Sequence, residues 1–118
     1  MQSITFYDEL SDMEFVAGDT LPVFNISVDV EDGTSLEDCA MKLIVSKCTD
    51  ASSPIISKTC TVDNEDNTMY HVQLTTEETV QLTEGTYTLF FILIDTDEME
   101  YKKTVCSLYV HSAPKGAV

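Results

Sequence analysis

Leu21-Pro22-Val23-Phe24-Asn25-Ile26-Ser27-Val28-Asp29-Val30 decides the fold class. Phe24, Ile26, Val28 and Val30 fall on one side of an extended chain; Asn25, Ser27 and Asp29 fall on the other. That is the two-residue period of a half-buried strand. Pro22 stands at its start, where a missing N–H is tolerated. Glu31-Asp32-Gly33-Thr34 then turns the chain. Reading outward from this stretch gives strands at near-regular spacing. Ile4–Tyr7 is a first edge strand, with Met13–Ala17 as its continuation before the Gly18-Asp19-Thr20 turn. Ala40–Lys47, Ile55–Val62, Met69–Leu74, Thr86–Ile94 and Tyr101–Val110 follow. Met41, Leu43 and Val45 share a face. So do Ile56, Cys60 and Val62, and so do Tyr70, Val72 and Leu74.

Thr75-Thr76-Glu77-Glu78 has the spacing of a capping box and predicts one helical turn through Val80 and Leu82, ended at Gly85. About seven antiparallel strands, with this turn between the fifth and sixth, predict an all-β, immunoglobulin-like sandwich. It is read as one domain over residues 1–111, with a mobile tail at 112–118. Tyr87 stands near the start of the sixth strand. It is either a corner tyrosine, tying its hydroxyl to the preceding crossing, or an ordinary inward tyrosine.

The chain has 118 residues, 43% of them apolar, which suffices for one buried core. It carries 21 acidic residues against six lysines and no arginine, a net charge of −15. Such a surface repels nucleic acid and anionic lipid, so neither is expected as a partner. The longest apolar run, Leu89–Ile94, is far short of the ~20 residues of a membrane span. No signal segment is read at the N-terminus. Cys39, Cys48, Cys60 and Cys106 lack metal or redox spacing and are read as reduced thiols.

Twelve of the acids fall in the three connections at one pole of such a sandwich, among them Asp29, Asp38, Asp63, Glu65, Asp95, Asp97, Glu98 and Glu100. Neither 63–74 nor the segment from Asp95 completes a calcium-loop pattern, so these are read as solvated turns. No catalytic residue, cofactor or metal is assigned. His71 and His111 stand apart from any nucleophile pattern. The sixth strand is apolar on both faces: Tyr87, Leu89, Phe91 and Leu93 on one, Phe90, Ile92 and Ile94 on the other. Its outer face therefore needs a cover. Phe90, Ile92 and Ile94, extended by Tyr101 and Tyr109, are the candidate interface. The other candidate covers are the N-terminal residues Phe6, Met13 and Phe15 and the side chains of neighbouring strands.

Phe15-Val16-Ala17-Gly18-Asp19-Thr20-Leu21-Pro22 leads into the alternating strand and Asp32-Gly33-Thr34. Leu74-Thr75-Thr76-Glu77-Glu78-Thr79 and Leu82-Thr83-Glu84-Gly85-Thr86-Tyr87 follow, then Asp95-Thr96-Asp97 and a final strand. In this order the motifs resemble the immunoglobulin-like structural domains of tailed bacteriophages and prophages, such as the N-terminal domain of baseplate upper proteins. The resemblance runs from about Phe15 to Val110. It implies a non-enzymatic virion module of baseplate, tail, head decoration or fibre adaptor, assembled in the bacterial cytoplasm. Its expected partners are other virion proteins or copies of itself. The rival expectation is a small acidic phage protein that inhibits a host protein by mimicking nucleic acid.

Overall fold

The computed structural model describes residues 4–30, 38–47, 54–63, 65 and 68–112. Among them run β1 (Ile4–Asp8), β2 (Met13–Val16), β3 (Phe24–Val30), β4 (Ala40–Ser46), β5 (Ile56–Thr59), β6 (Thr61–Val62), β7 (Met69–Val72), α1 (Thr76–Thr79), β8 (Gly85–Ile94) and β9 (Glu100–His111). Two sheets form, in the orders β1-β3-β7-β6 and β2-β9-β8-β4-β5. The 31–34 turn, the 52–53 part of the loop before β5, Cys48 and residues 113–118 of the expected tail lie outside the described residues.

The alternation read from the sequence builds the core. Phe24, Ile26 and Val28 from one sheet meet Met41, Leu43, Val45, Leu89, Phe91 and Leu93 from the other, all at most 3% exposed. Two of the seven expected strands are each divided between the sheets, which is why nine are observed among the described residues. The first runs antiparallel to β3 as β1, then crosses and pairs in parallel with β9 as β2. The expected strand 55–62 divides at Cys60. Ile56–Thr59 pairs with β4, the Cys60 N–H still donates to Met41 O at 2.7 Å, and Thr61 already faces His71 of the other sheet. Twisted sheets diverge at their edges, so one strand can serve both by bending between them. Val62 accordingly leaves the shared face and is 43% exposed, while Ile56 and Cys60 are buried.

Two lysines close the open sides of the sandwich. Lys103 on β9 donates to Phe6 O at 3.2 Å and lies 3.5 Å from the Asp8 carboxylate, joining β9 to β1. On the opposite side, Lys58 on β5 donates to Gln73 O at 2.6 Å and to Glu78 Oε1 at 2.8 Å. Glu78 is also the capping-box acid, accepting the Thr75 N–H at 2.9 Å. Partial burial raises the Glu78 carboxyl, but hydrogen bonds from Lys58 and Thr75 outweigh it and hold the group below its usual range. A depressed folded-state pKa gives stability that is present above the unfolded value and lost as pH falls through the folded one. Lys58→Met is therefore expected to cost about 1 kcal/mol at pH 7 and much less near pH 3. Urea unfolding of both proteins at the two pH values checks this. A pH-independent gap would mean that Lys58 contributes only packing.

Candidate functional site

Each outer face of the sandwich can be built from the register. On the five-stranded sheet, β8 presents Phe90, Ile92 and Ile94 outward. Phe90 lies between Ile44 on β4 and Thr104 on β9; Ile92 lies between Lys42 and Lys102. Ile44, Phe90 and Ile92 form a small second cluster, with Ile94 packed against it. In the single chain Phe90 is 5% exposed and Ile92 8%. Lysine stems beside such positions cover apolar surface while the ammonium stays in water. The N-terminal residues are not the cover, because Phe6, Met13 and Phe15 pack on the main core. Of the three covers considered, the structure supplies side chains of neighbouring strands.

The two tyrosines expected to extend this patch part company. Leu89 faces Cys106, but Phe90 faces Thr104, leaving Val105 as an extra residue in β9. This β-bulge reverses the in–out alternation. Tyr109 remains outward, beside Thr86 and 41% exposed. Tyr101 instead lies beside Leu93 and packs against the main core. The expectation that Tyr101 belongs to the outer patch is thus corrected.

The four-stranded sheet holds a groove that the sequence reading did not single out. Tyr7 on β1, Ser27 on β3 and Met69 on β7 stand in one cross-strand row, with Val23 and Asn25 alongside. Where β1 ends and the chain leaves for the other sheet, these residues and Glu9 border a shallow cavity of about 580 Å³. Tyr7 is 56% exposed and Val23 52%. Tyr7, Val23 and Met69 each stand in the sequence as an apolar residue beside an inward-facing neighbour, but only the strand pairing groups them.

The acidic pole is organised by its own backbone. Asp95, 9% exposed, accepts N–H bonds from Asp97 at 2.9 Å and Met99 at 3.0 Å. Asp63 accepts the Glu65 N–H at 2.8 Å. These are turn-forming carboxylates. Among the described residues, no group of three or more His, Cys, Asp or Glu side chains is placed to hold a metal ion. Cys39, Cys60 and Cys106 are free thiols. Burial pushes Cys60 up to about 12 and Cys106 up to about 11, so neither is a nucleophile at neutral pH. Burial, together with the nearby Asp95 and Asp38 charges, also raises Cys39. His71 is half-buried beside Asn25 and Thr61, and His111 contacts the Glu14 carboxylate.

At the other pole, Thr79 is fully buried. Its hydroxyl donates to Asp19 O at 2.6 Å and accepts the Gly18 N–H at 3.1 Å. Gly18 adopts a φ of +97°, which few other residues tolerate. Tyr87, 1% exposed, donates its hydroxyl to Thr83 O at 2.8 Å and accepts the Thr83 N–H at 3.0 Å. Of the two readings of Tyr87, the corner is the one observed.

No family model matches the chain, and no curated protein matches it. Solved structures do. The fibronectin(III)-like modules of Clostridium thermocellum CbhA superimpose with a TM-score of 0.55 at 13% identity, over 95% of this chain and 100% of that one. CopC from Methylosinus trichosporium OB3b matches more loosely, with a TM-score of 0.45 at 7% identity, over 86% of this chain and 87% of that one. The chain has an immunoglobulin-like β-sandwich fold, and at these identities the likeness extends to fold alone. No helix among the described residues is long and apolar enough to cross a membrane.

Proposed function

We propose that the chain is a non-enzymatic structural protein of a bacteriophage or prophage particle, a baseplate, tail, head-decoration or fibre-adaptor module acting through protein–protein contacts. The observation that carries the contact role is the exposed apolar row on the outer face of the four-stranded sheet. A solvated sheet face is ordinarily polar, and clustered exposed apolar side chains mark a partner surface. Tyr7, Val23 and Met69 are 56%, 52% and 42% exposed. The five-stranded sheet offers less, since its apolar cluster is already covered by its own chain. The particle assignment comes from the ordered motifs between Phe15 and Val110.

Composition of purified particles tests this reading. In a host carrying this sequence, particles banded in a density gradient are expected to contain the chain at a fixed ratio to the other structural proteins. A chain found only in the soluble lysate, bound to a host protein, would support the inhibitor instead.

A further inference from the structure

The few cations of this chain are unevenly placed. Lys42, Lys58, Lys102 and Lys103 lie on β4, β5 and β9, and Lys47 directly follows β4. All five described lysines thus belong to the five-stranded sheet or its margin. The four strands β1, β3, β7 and β6 carry none, in a protein without arginine. Of the side chains lining the groove on this lysine-free sheet, the charged ones, Asp8 and Glu9, are both acids. Glu9 stands at the groove and Asp29 lies further along the same face; both are exposed. Asp8, also at the groove, is occupied by Lys103 and by the Leu10 N–H. Among the described residues of this face, His71 is the one basic side chain.

We infer that this groove takes a cationic protein segment. Such a partner seats apolar side chains on Tyr7, Val23 and Met69 and sets lysines or arginines against Glu9 and Asp29. The inference rests on the protein-contact reading above and names the class of partner. Nucleic acid and anionic lipid fail on charge. A second copy fits poorly, because two chains of net charge −15 repel. Three of the lysines that a copy would offer are also already paired: Lys58 with Glu78, Lys102 with Glu100 and Lys103 with Asp8. A cationic segment meets both the apolar floor and the acidic rim.

Three synthetic heptapeptides test the inference by NMR titration of the ¹⁵N-labelled chain: alternating Leu–Lys, alternating Leu–Glu and alternating Ser–Lys. The Leu–Lys peptide is expected to bind, more weakly as salt rises, with shifts centred on residues 7–10, 23–27 and 69. Tyr7→Ser and Met69→Ser, both at exposed positions, are expected to weaken it by about tenfold, and Tyr109→Ser by less than about twofold. Equal binding of the Ser–Lys peptide would reduce the effect to bulk charge. Equal binding of the Leu–Glu peptide would reduce it to apolar contact. Either outcome overturns the inference, as would shifts centred on residues 95–100 or no binding of the Leu–Lys peptide. None of these would touch the particle assignment, which is read from particle composition.

Discussion

Phe91→Ala is expected to cost about 3–5 kcal/mol of folding stability, among the largest single-site effects in this domain. Phe91 is fully buried, stands between Leu43 and Lys103 across the strands, and lies in the main core between the sheets. Truncation there removes apolar burial and leaves a cavity that two rigid sheets cannot close. Domains of this size are typically stable by only about 5–15 kcal/mol, so the variant should lose a large share of its stability. Its neighbour gives the contrast. Phe90 belongs to the small outer cluster, where the surrounding side chains can relax and water can enter. Phe90→Ala is expected to cost about 2 kcal/mol in dilute solution. Urea unfolding of both variants checks the pair. A Phe90→Ala cost that disappears in the monomer would mean that the outer cluster is not held by its own chain.

Tyr87→Phe is expected to cost about 1.5–3 kcal/mol. The ring stays, so apolar packing is preserved. What is lost is a donor to Thr83 O and an acceptor for the Thr83 N–H, both partly buried. Leaving both backbone groups without their partner costs more than the net worth of one hydrogen bond. The corner also fixes the crossing from α1 into β8, so hydrogen exchange should quicken around residues 82–87 before it quickens in β9. A Tyr87→Phe midpoint within error of the parent would reduce this residue to ordinary packing.

The core was legible because alternation is a local signal. Phe24, Ile26 and Val28, and likewise Met41, Leu43 and Val45, fall inward as their spacing predicts. The helical turn was legible for a similar reason: Thr75 and Glu78 satisfy each other within four residues. Three features were not legible. Val105 bulges out of β9, and nothing in Tyr101-Lys102-Lys103-Thr104-Val105 marks it, since the irregularity belongs to the pairing with β8. One extra residue was enough to send Tyr101 inward and Tyr109 outward. The crossing at Cys60 was hidden because Ile56 and Cys60 do share a face; only the diverging sheets separate Val62 from them.

The groove was missed differently. The longest apolar run, Leu89–Ile94, is the strongest interface signal in the sequence, yet its outer half is already covered. Tyr7, Val23 and Met69 are scattered over 63 positions of sequence, and only the register β1-β3-β7 brings them into one patch. A surface assembled from three strands cannot be seen until their pairing is known.

On the proposed reading, the four-stranded sheet is the face that meets a partner. Tyr7 and Tyr109 test it most directly, being exposed tyrosines on opposite outer faces. Each would be replaced in turn by the photoreactive p-benzoylphenylalanine, and assembled particles irradiated. A cross-link to another structural protein is expected from position 7 and none from position 109. A cross-link from position 109 alone would place the contact on the five-stranded sheet and contradict that reading.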